Sequence, residues 1–132
     1  MAYLTDQELI DGYLPADVEQ QSDADDRAVA IESASAEADG YLRRAGYALP
    51  LASVGADLKG AVGAIAAYRL ALKLGLLPEP AAQSGLYLAY KAALEWLRGV
   101  AAGTVTPIVE DDAGDTDVPA GPLIDSDPPR GW

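Results

Sequence analysis

Apolar residues recur every three or four positions along most of the chain before Gly103, and this spacing predicts amphipathic α-helices. The first predicted helix begins at Thr5, because Glu8 stands three positions later and the two residues form a capping-box pattern. This helix ends before Pro15, since a residue that precedes proline is biased away from helical backbone. A further short turn of helix is compatible with residues 16–20.

Three longer helices follow in the sequence pattern. The second extends for about twenty residues from just after Ser22 and ends near Gly46, because glycine suits the end of a helix. The third covers residues 55–74, and the fourth follows Pro80 and ends at Gly103. The connection between these last two helices is short, so they are predicted to form an antiparallel hairpin.

The pattern therefore predicts an all-α fold, a small bundle of about four helices whose core is built by the second, third and fourth. Large apolar residues on the helical stripes are expected to be buried there. They are Ile31, Leu42, Leu58, Ile65, Leu72, Tyr90, Leu94 and Leu97.

The segment between the second and third helices is an apolar connector. It contains Tyr47, Leu49 and Leu51, and Pro50 biases the residue before it toward extended backbone. Three large apolar side chains are costly to expose to water. We expect this structural connector to be buried against the bundle or against a neighbouring molecule.

The composition changes after Gly103. Residues 104–132 contain five of the nine prolines and seven acidic residues, and they are too polar to form a core. The chain is therefore divided into a helical domain, residues 1–103, and an extended acidic, proline-rich C-terminal arm, residues 104–132. Apolar residues in the arm are spaced like anchors for a partner, and Trp132 is the largest of them. The predicted partner-binding residues are Leu123, Ile124, Arg130, Gly131 and Trp132.

The charge is strongly negative and unevenly distributed. The 132 residues include 21 Asp or Glu and nine Lys or Arg, a formal net charge of −12. Residues 1–39 hold eleven acids and one base, whereas residues 40–102 hold seven bases and three acids. These blocks are either solvated faces that favour solubility, or they support association in which the acidic block of one copy faces the basic block of the next.

The chain offers little for catalysis. It has no His and no Cys, which excludes a Ser-His-Asp triad, a thiol nucleophile and a Cys/His zinc site. The acidic runs 23–26 and 110–117 do not place ligands and glycine at the positions of a calcium loop, so no metal and no cofactor are expected. No uncharged apolar run is long enough to span a membrane. We expect a protein that is not an enzyme.

Several sequence pieces, in this order, resemble the Mu-like bacteriophage head–tail connector family, whose members are head-completion or adaptor proteins. The resemblance covers residues 1–103 continuously and the last three residues. The pieces that carry it are Met1-Ala2-Tyr3, Ala38-Asp39-Gly40-Tyr41-Leu42, Gly46-Tyr47-Ala48-Leu49-Pro50-Leu51, Ile65-Ala66-Ala67-Tyr68-Arg69-Leu70, Tyr90-Lys91-Ala92-Ala93-Leu94-Glu95-Trp96-Leu97 and Arg130-Gly131-Trp132.

This resemblance implies a structural adaptor in the neck of a tailed phage. It implies a homo-oligomeric, dodecameric ring that sits on the portal protein, links the DNA-filled head to the tail and binds a downstream neck or tail protein. DNA would be only passing cargo in the channel of the ring. The implied location is the virion neck, after assembly in the cytoplasm of the host bacterium.

Two other classes of function remain open from the residues themselves. An acidic regulatory protein that mimics DNA is one, although the basic middle block interrupts its acidic surface. A small enzyme that uses only carboxylates is the other, and it would need two close acids in a concave pocket.

Overall fold

The computed structural model describes residues 2–49, 51, 54–77 and 84–107. Within these residues the secondary structure is entirely helical, which confirms the predicted all-α class. The helices are α1 (Asp6–Gly12), α2 (Ala16–Gln21), α3 (Ala24–Arg44), α4 (Ala56–Leu74) and α5 (Gly85–Ala102). The short turn of helix compatible with residues 16–20 is α2, so the bundle has one more helix than the four predicted.

Side chains at the starts of α1, α3 and α5 accept hydrogen bonds from free N–H groups of those helices. Thr5 and Glu8 form the predicted capping box of α1, in which the Glu8 N–H donates to the Thr5 hydroxyl at 3.1 Å. Helix α3 begins one residue later than predicted, because Asp23 caps it and forms a second capping box with Asp26. The left-handed backbone of Gly103 (φ 83°) ends α5, as expected for a glycine at that position.

The core lies where α3, α4 and α5 pack together, and α4 is at its centre. Leu58, Ile65, Leu42 and Leu97 are fully buried as predicted. The prediction that Leu72 is buried is wrong, because its side chain is 57% exposed. Leu58, Ile65 and Leu72 are spaced by seven residues, and a straight α-helix drifts by about 20° per seven residues. The stripe therefore turns away from the core before α4 ends. Tyr90 and Leu94 are half-buried at its edge.

The N-terminal segment is fastened to α3. The Tyr3 N–H donates to the Ser35 hydroxyl at 3.0 Å, and the Tyr3 hydroxyl donates to an Asp39 carboxylate oxygen. Burial, together with the Asp39 carboxylate, raises the pKa of Tyr3 well above its usual value. Leu4 and Leu9 flank the start of α1 and are both buried, so α1 lies against the three-helix core.

Gly63 is needed because the ring of Tyr13 lies directly against α4. A Cβ atom built on Gly63 would lie 2.6 Å from Cδ2 of Tyr13, whereas a Cβ on Gly60 would have its nearest neighbour at 3.9 Å. Both glycines lie inside α4, where alanine favours the helix by about 1 kcal/mol. Of these two glycines, only Gly63 must lack a side chain for the Tyr13 ring to pack against α4.

We expect opposite results from the two alanine substitutions. Gly60→Ala should raise the free energy of unfolding by about 1 kcal/mol, and Gly63→Ala should lower it by about 1–3 kcal/mol through overpacking. Urea unfolding followed by circular dichroism measures both. In a Tyr13→Ala background, Gly63→Ala should no longer destabilise the protein. A loss that persists there would show that another contact opposes the alanine.

Candidate assembly surface

Ion pairs within one chain join the acidic and basic blocks. The Lys59 Nζ atom lies 2.8 Å from Glu8 Oε2, and the Lys73 Nζ atom lies 2.9 Å from Asp26 Oδ1. Arg69 binds Glu37, and its guanidinium also donates to Ser33 Oγ at 2.6 Å. Three of the seven bases in residues 40–102 therefore contact acids of residues 1–39 in the same molecule. The remaining bases of that block are Arg43, Arg44, Lys91 and Arg98.

Two of these ion pairs are expected to make a pH-dependent contribution to the free energy of unfolding. The hydrogen bond from Lys59 holds the pKa of Glu8 below its ordinary value of 4.5, and the hydrogen bond from Lys73 holds the pKa of Asp26 below 3.8. Both pKa values are lower in the folded state, so this stabilisation is present above the ordinary values and is lost as the pH falls through the folded ones.

The Glu8→Gln/Asp26→Asn variant should therefore lose less stability than the parent between about pH 5 and pH 3. The effect is modest because both carboxylates are near solvent. Urea midpoints at a series of pH values measure it. Asp25→Asn is the matched control, because Asp25 makes no ion pair within the described residues. An unchanged pH profile in the double variant would contradict the assignment.

Three tyrosines form a cluster at the outer edge of α4 and α5. Tyr68 and Tyr90 are stacked, with ring centroids 4.3 Å apart and planes 14° from parallel. Tyr87 lies 5.8 Å from Tyr68, centroid to centroid. Leu72 stands one helical turn after Tyr68 and is 57% exposed. All three tyrosines are half-buried, so their rings are held in place and still reach solvent.

Basic residues on α5 adjoin this cluster. Lys91 and Arg98 are exposed, and neither makes an ion pair within the part of the chain that the structure describes. Lys91 stands four positions after Tyr87, so the two share one face of α5. We call Tyr68, Leu72, Tyr87, Tyr90 and Lys91 the assembly face. It combines fixed aromatic rings, an exposed aliphatic side chain and an exposed positive charge, a composition typical of protein–protein contacts.

The sequence pattern only partly indicates this face. The apolar stripe of the fourth predicted helix places Tyr90 in the core, whereas its side chain is half-buried. The three-residue spacing of Tyr87 and Tyr90 is the signal that places them side by side on a helix. Their contact with Tyr68 depends on how α4 and α5 pack.

Comparison of the sequence with models of protein families shows which family the chain belongs to. The model of the family described as bacteriophage Mu, Gp36 matches residues 2–125. The protein belongs to the Mu Gp36 family. It is thus a Mu-like phage protein, and membership of this family supports a structural or morphogenetic role. No curated protein and no solved structure matches the chain significantly.

The family model matches a longer continuous stretch than residues 1–103, which carry the resemblance described above. It includes residues 104–125, the larger part of the C-terminal arm, and does not include Arg130-Gly131-Trp132. The Mu Gp36 family model thus describes the helical domain and most of the arm as one sequence unit.

The connector residues lie beside the core of this Mu Gp36 family member. Leu51 is buried, and Tyr47 and Leu49 are half-buried and pack against the core cluster. The Tyr47 N–H donates to the Leu42 carbonyl at 3.1 Å, which attaches the connector to the end of α3. Pro50 lies outside the described residues.

The predicted partner-binding residues of the arm also lie outside the described residues, so they stay predictions. They are Leu123, Ile124, Arg130, Gly131 and Trp132. Among the described residues, no group of three or more acidic side chains is placed to hold a metal ion. No helix in that same part of the chain is long and apolar enough to cross a membrane.

Proposed function

We propose that this protein is a structural adaptor of a tailed-phage neck, not an enzyme, that forms a homo-oligomeric ring on the portal vertex and links the head to the tail. The observation that carries the proposal is membership of the Mu Gp36 family over residues 2–125. In this proposal the partners are other copies of the chain, the portal protein and a downstream neck or tail protein. DNA passes through the ring as cargo, and the protein is located in the virion neck.

The assembly face supports association between copies. A contact between two different surfaces of identical subunits closes into a ring when the rotation between them is suitable. Lys91 of the assembly face and Arg98 carry positive charge on α5 that no acid of the described residues pairs, whereas Asp11, Asp17, Glu19 and Asp25 are exposed on the first three helices. An association of these two surfaces would bury the tyrosines and bring opposite charges together.

The ion pairs within the chain weigh against the alternative of an acidic DNA mimic. Asp6, Glu8, Asp26 and Glu37 each contact a Lys or Arg side chain of the same molecule. Such pairing lowers the negative potential that a mimic would present to a basic groove.

The test is the mass of the assembly formed with the portal protein of the same phage. We expect rings in electron micrographs and a mass far above that of the 13.7 kDa chain. Tyr87→Asp/Tyr90→Asp should abolish ring formation and leave the helical content unchanged. Val29→Asp is the matched control, because Val29 is 62% exposed on α3 and lies outside the assembly face. A parent protein that stays monomeric with the portal would overturn the proposal.

A further inference from the structure

An open, mostly apolar groove of about 840 Å³ lies along α4 and α5. Most of the side chains that line it are small or aromatic, and they include Ala61 and Ala64 on α4, Ala89, Ala92 and Trp96 on α5, and Tyr13 at the end of α1. The small side chains leave room that larger side chains of a partner can fill, and exposed apolar surface of this kind is typical of a contact site.

The groove and the assembly face use opposite sides of α5. Successive residues of an α-helix are about 100° apart around its axis. Tyr90 of the assembly face and Ala92 of the groove are two positions apart, and Tyr87 and Trp96 are nine apart, so each pair points to nearly opposite sides of the helix. Each subunit therefore has two different contact surfaces, one on each side of the same helix.

Two different surfaces on opposite sides of a subunit are what head-to-tail association needs. Such a contact repeats from copy to copy and closes into a ring when the rotation is suitable. A contact of groove with groove, or of assembly face with assembly face, would instead give a closed dimer.

The charges of the two surfaces are complementary. Lys91 is exposed in the assembly face. Asp57 lines the groove, no basic residue among the described ones lines it, and Glu95 is exposed on α5 three positions after Ala92. Opposite charges across an interface select the partner surface and disfavour contacts between like surfaces. The charges thus favour contact of the groove with an assembly face over contact with a second groove.

We propose that the groove of each copy receives the assembly face of the next copy, with Leu72 and Tyr87 seated against Ala89, Ala92 and Trp96. Leu72 is 57% exposed, and this contact would remove it from water. The inference rests on the proposed ring and adds the surface that each assembly face contacts.

Single-cysteine variants test the contact, because the natural chain has no cysteine. Full-length Leu72→Cys and Ala92→Cys chains are mixed in equal amounts, assembled with the portal protein and treated with a short bismaleimide. We expect cross-linked pairs that contain one chain of each variant, identified by mass spectrometry of the joined peptides. In the matched control Ala36→Cys replaces Leu72→Cys, because Ala36 is exposed on α3 and belongs to neither surface, and few pairs should form.

The outcomes separate this contact from the ring itself. Rings in which the mixture gives no more cross-linking than the control would overturn the groove contact and leave the proposed ring intact. Efficient cross-linking of Ala92→Cys chains to one another would also overturn it, because groove would then meet groove. A chain that forms no rings with the portal would overturn both proposals.

Filling the groove provides a second measurement without cysteines. Ala92→Trp places a large side chain in the groove at an exposed position, so it should abolish rings in electron micrographs and leave the helical circular dichroism signal unchanged. Ala36→Trp is the matched control and should retain the rings. Rings formed by Ala92→Trp as readily as by the parent would contradict the groove contact.

Discussion

Ile65→Asp is expected to abolish folding. Ile65 is fully buried at the centre of α4, and the substitution replaces a large apolar side chain of the core with a carboxyl group. Changes of this kind cost about 4 kcal/mol or more, a large part of the roughly 5–15 kcal/mol that stabilises a domain. Loss of the helical circular dichroism signal and of a cooperative unfolding transition would be the measured result.

Leu72→Asp is the matched control for this prediction. Leu72 lies on the same sequence stripe seven residues later, but its side chain is 57% exposed. The free energy of unfolding should therefore change by less than about 0.5 kcal/mol. If Ile65→Asp remained soluble and fully helical, or if Leu72→Asp unfolded the protein, the packing of α4 described above would be incorrect.

Deletion of residues 128–132 is expected to weaken attachment to the neighbouring ring or to the portal and to leave the bundle intact. The deletion removes Trp132, the last predicted apolar anchor of the arm, and a tryptophan buried in a partner pocket contributes about 2 kcal/mol or more to binding. That corresponds to a loss of affinity of about thirty-fold or more. Titration of the truncated protein against portal measures the affinity, and urea unfolding measures the stability of the bundle.

Two further variants separate the anchor from the charge of the arm. Trp132→Phe should retain most of the affinity, because an aromatic side chain still fills the pocket. Asp125→Asn/Asp127→Asn should also retain it, since these residues precede the anchor. A truncated protein that joins heads to tails as well as the parent would show that the end of the arm is not an anchor.

Salt dependence distinguishes the charges that act within a subunit from those that act between subunits. Exposed charge pairs are screened beyond about 8 Å at physiological ionic strength. If Lys91 and Arg98 contact acids of a neighbouring copy, ring formation should weaken as salt is raised. Rings that are insensitive to salt would instead leave the tyrosines and Leu72 as the main source of the association.

The sequence by itself determined the features that depend on residues within about one helical turn. Thr5 and Glu8 define the start of α1, because the capping box needs only those two side chains and the backbone between them. Gly75 and Gly103 define the ends of α4 and α5, where both adopt left-handed backbone that glycine tolerates without strain. The all-α class follows from such local signals and from the spacing of apolar residues.

Only the tertiary structure decided which parts of the helical faces meet. The sequence could not show that the Tyr13 ring requires Gly63, or that Lys59 pairs with Glu8 of its own chain. Each depends on the angle and register of helices far apart in sequence, which the local pattern does not specify. The stacking of Tyr68 on Tyr90 has the same origin, because a helical stripe identifies a half-apolar face and not the neighbour that covers it.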